Sequence, residues 1–183
     1  MPEKEIIQHC SPMLAGLKTG NLFLCDYTSK TALERDVVGW NARLGAKGVR
    51  FVALRTQSGK ALIYAYRVSR LKKALSNAEI ASFLVESGYP ADHLKECLAC
   101  LSNRLSGREN FPHEIGVFLG YPLADVKAFI ANSGSNCKCA GCWKAYSNEQ
   151  AAKKTFAKYK KCTQIYCKKY AEGTGIDRLT VAL

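Results

Sequence analysis

Acidic side chains are scarce in this sequence: 15 Asp and Glu stand against 27 Lys and Arg, a formal net charge of +12 over 183 residues. Long apolar runs are missing as well. No stretch approaches the roughly 20 consecutive apolar residues that cross a bilayer, which argues against a membrane-spanning helix. The opening residues, MPEKEIIQHC, show no basic segment leading into an apolar one, so no secretory leader is expected. The expectation is a cytoplasmic protein. In a reducing compartment its nine cysteines read as thiols or metal ligands rather than disulfides, and the odd count agrees. A chain of this length can bury an ordinary core without cross-links, so the cysteines are not needed as staples.

The positive charge is concentrated in the last third. Between Lys138 and Lys169 there are nine lysines and one acid, Glu149. Such a surface suits phosphate, nucleic acid or an acidic partner protein such as a flavodoxin. Arginine is missing from the run, and no exposed aromatics are interleaved with it, which disfavours nucleic acid. Residues 1–183 read as a single domain with a cysteine-rich loop and a basic helix within 134–171; oligomeric state is not legible.

Proline and glycine punctuate the chain. Glu3 to Cys10 is expected to be a helix closed by Ser11-Pro12, Asn21 to Tyr27 a strand, and Thr31 to Leu44 a helix. Arg50 to Thr56 and Ala61 to Val68 form a hairpin across Gln57-Ser58-Gly59-Lys60. Asn77 to Ser87 is a helix stopping at Gly88. Further helices are expected to open at Pro90, Pro112 and Pro122, the last two stopping at Gly120 and Gly134. Trp143 to Tyr146 reads as a short strand, Asn148 to Ala171 as a long helix and Leu179 to Ala182 as a last strand. The fold class is α+β, a small, largely antiparallel sheet including the hairpin, packed against several helices.

Chemistry is most concentrated in NCKCAGCWKAY, residues 136–146. Cys137, Cys139 and Cys142 follow a helix stop, on backbone able to curl around one centre. A fourth ligand must come from elsewhere. Cys162 and Cys167 lie about 140° apart around the following helix, so only one can join. The stripe Ala152, Phe156, Tyr159, Thr163, Tyr166 and Tyr170 should face the core, with Cys167 at its edge and Cys162 off to the side, so Cys167 is the choice. Four thiolates would suit zinc or an iron–sulfur cluster. The competing readings are unligated thiols packed as small hydrophobes, and a reactive redox site.

Other features weigh less. Cys97 and Cys100 share one face in mid-helix, where no helix N-terminus activates them, so a buried apolar role is favoured. His9 and Cys10 are adjacent on a helix and do not face each other. His113 sits after Pro112, where a helix start favours neutral imidazole able to act as base or ligand, and Glu114 complements the same helix end. HEIGVFLGYPLADVKAFIA has the rhythm of a helix-turn-helix but offers few side chains able to reach base edges.

Three segments, HCSPMLAGLKTGNLF, FPHEIGVFLGYPLADVKAFI and WKAYSNEQAAKKTFAKYKKC, together resemble a domain-of-unknown-function family of small cytoplasmic proteins from anaerobic, mainly clostridial Firmicutes. The resemblance implies a setting of iron uptake and flavodoxin-type electron transfer. It also implies that some relatives lack the three loop cysteines, so that the shared function lies at the motif residues. These are Cys10, Pro12, Gly16, Lys18, Asn21, His113, Glu114, Gly120, Tyr121, Trp143, Lys144 and Tyr146. Two functions therefore stand as expectations. One is a metal- or cluster-binding accessory protein in iron or redox homeostasis, using Cys137, Cys139, Cys142 and Cys167. The other is an enzyme or anionic-ligand-binding protein with a pocket of Cys10, Lys18, His113 and Lys144; a basic nucleic-acid-binding module comes third.

Overall fold

The computed structural model describes residues 1–90, 93–107 and 111–183. Three strands form the central sheet: β1 (Gly20–Asp26), β2 (Val49–Gln57) and β3 (Lys60–Arg67). Their order is β1-β3-β2, antiparallel throughout. The expected hairpin joins β2 to β3. Its two-residue loop places Ser58 at φ 50° and Gly59 at φ 75°, the left-handed pair that matches the twist of the flanking strands.

Successive side chains of a strand face opposite ways, and here both faces are covered. Phe23, Cys25, Phe51, Ile63 and Ala65 pack beneath α1 (Glu3–Leu14), α2 (Lys30–Leu44) and α9 (Ile176–Leu179). Leu22, Leu54, Leu62, Tyr64 and Tyr66 meet the residues that follow the sheet in sequence. Those belong to α3 (Val68–Leu75), α4 (Ala78–Glu86), α5 (Leu94–Ser106), α6 (Ile115–Phe118) and α7 (Leu123–Ala131). A small two-stranded ribbon, β4 (Cys139–Ala140) with β5 (Lys144–Ala145), leads into α8 (Glu149–Ala171), which lies along α1. The architecture is α+β. Among the described residues no helix is long and apolar enough to cross a membrane.

Several boundaries differ from the sequence expectation. Helix α1 does not stop before Pro12 but runs through it to Leu14. An interior proline costs roughly 3 kcal/mol. Cys10, Met13 and Leu14 are fully buried around it, and each buried large aliphatic contributes about 1.5–3 kcal/mol, so packing outweighs the lost bond. The Ser11 hydroxyl donates to the Ile7 carbonyl one turn back. Pro90 does not open α5, which starts at Leu94 after His93; residues 91 and 92 lie outside the described set. Pro112 precedes a helix of only four residues, and Pro122 is the residue before α7 rather than its first. The expected last strand is absent from the described residues 179–182. Leu179 closes α9, and the residues after it are held by single bonds, Val181 N–H to the Leu14 carbonyl and Arg67 to the Val181 carbonyl, rather than by a ladder.

Arg67 explains how this end is fixed. It is fully buried and has no carboxylate partner among the described residues. Its guanidinium instead donates to the carbonyls of Met13 (2.8 Å), Lys47 (2.8 Å) and Val181 (2.6 Å), and to that of Leu14. Two of these carbonyls close α1, where a cation also complements the helix dipole. Burial still depresses the Arg67 pKa, to about 10.

Candidate functional site

The cysteine loop takes its shape from a carboxylate. Asp125, in the first turn of α7, is 3% exposed. One oxygen accepts from the Trp143 indole N–H (2.7 Å), the other from the backbone N–H groups of Tyr146 (2.9 Å) and Ser147 (2.8 Å). Burial alone would raise the Asp125 pKa; these three donors outweigh it and hold the carboxyl below its ordinary value. The Trp143 ring stacks on Tyr121 (centroids 5.1 Å apart) and meets Phe156 of α8 edge-on (4.5 Å). The ribbon is thereby wedged between α7 and α8. Nothing in the sequence separated Asp125 from an ordinary first-turn acid.

The three loop thiols take different neighbours. Cys137 lies beside Tyr146, and Cys139 lies near Lys153 and the Glu149 carbonyl of α8. Cys142, at the tip of the ribbon, is exposed and faces Lys18. Cys167 shares a cavity with Cys142. Cys162, expected to point sideways, is buried instead, because it falls three residues after Tyr159 and four before Tyr166, inside the packed stripe. Among the described residues no three His, Cys, Asp or Glu side chains are grouped so as to hold a metal ion.

The cavity shared by Cys142 and Cys167 measures about 480 Å³, and Lys18, Asn21, His9 and Tyr159 also line it. Its position follows from the end of α1. The chain turns there with Leu17 and Lys18 N–H groups donating to the Pro12 carbonyl, then enters β1 at Gly20. Lys18 is 6% exposed. Its ammonium has no hydrogen bond or ion pair among the described residues and sits 5.3 Å from the centre of the Tyr121 ring. Burial depresses its pKa, opposed by the neighbouring Cys142 and Cys10 sulfurs. Asn21 Oδ1, in the same lining, is buried without a donor. A buried charged donor, Lys18, and a buried acceptor atom, Asn21 Oδ1, both unsatisfied among the described residues, therefore border one space. Burial raises the Cys142 thiol above its ordinary value, with Lys18 acting in the other direction.

The remaining motif residues divide between places. Cys10 is fully buried beneath Lys18, its thiol pushed far up by desolvation, and it does not line the cavity. His113 and Lys144 border a second cavity of about 170 Å³. Tyr121 belongs to both regions: it lines that second cavity, Lys18 lies over its ring, and its hydroxyl donates to the Cys142 carbonyl (2.8 Å). Thus Lys18, His113, Lys144 and a thiol do not share one pocket. Glu114 serves the core, accepting from the Tyr89 hydroxyl and from Arg104, each at 2.9 Å. Cys97 and Cys100 donate to the carbonyls of Pro90 and Gly88.

A family model described as "Protein of unknown function (DUF3793)" matches residues 6–180, nearly the whole length, and the chain belongs to that family. No curated protein and no solved structure matches it.

Proposed function

We propose that this DUF3793 member binds a small anionic ligand, bearing phosphate or carboxylate oxygens, in the cavity between α1, α8 and the ribbon tip. One observation carries the reading: the Lys18 ammonium is buried at the cavity wall with no counter-charge among the described residues. An uncompensated buried cation is costly, and an anion arriving from solvent would satisfy it. The orphaned Asn21 Oδ1 at the same wall is an acceptor, which pairs only with a protonated ligand oxygen such as the hydroxyl of hydrogen phosphate. Lys160 at the rim, with the other lysines of α8, biases the local potential toward anions. Binding of inorganic phosphate and of succinate, measured by calorimetry at low salt, tests the reading. Saturable binding of either that is lost in Lys18→Met supports it; equal binding by the variant would overturn it.

A second reading has one observation in its favour. Cys142 and Cys167 line the same cavity, as a zinc or iron–sulfur site on Cys137, Cys139, Cys142 and Cys167 would require of that pair. The ribbon would have to turn Cys137 and Cys139 toward them. Elemental analysis of protein purified without oxygen tests this: stoichiometric zinc or iron lost in Cys139→Ser would establish the metal reading.

A further inference from the structure

The second cavity has a different character, and nothing in the preceding reading uses it. Its volume, about 170 Å³, is close to that of the roughly 150 Å³ apolar cavity known to admit benzene. Its walls are largely aromatic. The lining includes the His113 and Phe129 rings, 4.9 Å apart, and the stacked pair Tyr121 and Trp143. Ile115, Gly116 and Val126 complete the lining. Gly116 is needed there, since a Cβ would come within 2.7 Å of Val126 and 3.2 Å of Tyr121.

Charge at the edge of this space is asymmetric. Lys144 stands at the cavity with one hydrogen bond, to the Gly134 carbonyl (2.7 Å), and no ion pair among the described residues. Two of its three ammonium protons remain available for another acceptor. Asp125 also touches the cavity, but its oxygens are taken by the three N–H groups that hold the ribbon. The cation is free to meet a ligand, whereas the ionised Asp125 carboxylate turns both oxygens to its own donors.

We propose that this cavity is a binding site for a single-ring aromatic carboxylate, with the ring among His113, Phe129, Tyr121 and Trp143 and the carboxylate on Lys144. Ring burial supplies affinity and the ammonium selects the charged group. The space is sized for one ring, and an aliphatic acid forgoes contact with the aromatic walls.

The probe is 4-fluorobenzoate followed by 19F NMR, with acetate and 4-fluorobenzyl alcohol as controls. The expected result is saturable binding of the benzoate, at least about tenfold tighter than either control. Lys144→Met, which keeps an apolar stem at the lining and removes the ammonium, should reduce benzoate affinity to about that of the alcohol while the alcohol still binds. Val126→Phe, which fills the space, should abolish both. Lys18→Met should keep the Lys144-dependent benzoate site, which separates it from the anion cavity next door. Absence of saturable benzoate binding, or binding indifferent to Lys144→Met, would overturn the proposal.

Discussion

Replacing Lys18 with methionine should make the ligand-free protein more stable. The side chain is 6% exposed, so folding strips most of the water from its ammonium. Such desolvation costs several kcal/mol in real proteins, and the main compensation in view is the Tyr121 ring at 5.3 Å, worth about 0.5–2 kcal/mol. Methionine keeps most of the buried stem and removes the charge. A net gain of roughly 1–3 kcal/mol is expected, and for a chain of this size each kcal/mol moves Tm by about 2–4 °C. The effect must also depend on pH in a defined sense. Because the folded pKa of Lys18 lies below its ordinary value of 10.5, the unfolded chain holds more protons between the two, and wild-type stability rises with pH across that window. The deficit relative to Lys18→Met is therefore complete below the folded pKa and vanishes as pH passes 10.5. Buried thiols such as Cys10 shift stability the opposite way at high pH, but they are present in both proteins and cancel in the difference. The assay is thermal unfolding of both proteins from pH 7 to 10.5 in non-coordinating buffer, then at pH 7 with added phosphate. A ligand at 100 times its Kd stabilises by about 2.7 kcal/mol, enough to close or reverse the gap over most of the roughly 1–3 kcal/mol expected. If the variant is less stable than wild type at pH 7, or the gap does not narrow with pH, Lys18 already has a counter-charge and the anion reading fails.

Two structural hubs give further expectations. Asp125→Ala should cost about 3 kcal/mol by denaturant unfolding, since one tryptophan and two backbone donors lose a charged acceptor in a nearly closed site. The Asp125 carboxyl titrates below its ordinary value of 3.8, so its contribution is complete above that pH and disappears as pH falls through the lower folded value; Asp125→Asn should flatten this acid limb. Arg67→Met should cost about 3–5 kcal/mol and expose the C-terminal segment to protease, because four carbonyls lose the guanidinium at once. Arg67→Lys should recover only part of this, as one ammonium cannot copy the guanidinium fork. Undiminished resistance to proteolysis in Arg67→Met would refute the anchoring role.

Local pattern was enough for the hairpin at Ser58-Gly59, for α4 with its Asn77 cap, for α8 with its Asn148 cap and for the α+β class. Each of these is written in a few neighbouring residues, through turn chemistry, capping and periodicity. Where a boundary depended on burial, local rules failed. Pro12 reads as a helix stop, yet Met13 and Leu14 carry α1 onward because both are fully enclosed.

The site shows the same division. Lys18, Asn21, His113, Lys144 and the loop cysteines were all visible as residues able to do chemistry, but their grouping was not. The C-x-C-x2-C spacing suggests convergence on one ion, whereas Asp125 and the Trp143 stack set a ribbon that gives the three thiols different neighbours. Arg67 and Asp125, the two most consequential charged residues of the core, resemble surface charges in the sequence. What marks them is burial against acceptors or donors up to 114 residues away, as between Arg67 and Val181. The sequence by itself determined the hairpin, the helices that follow Asn77 and Asn148, the basic character and the inventory of reactive groups, because those follow from residue type and near neighbours. Only the tertiary structure decided that Lys18 is buried without a counter-charge and that Lys144 faces another cavity, because desolvation and pairing depend on segments brought together across the whole chain.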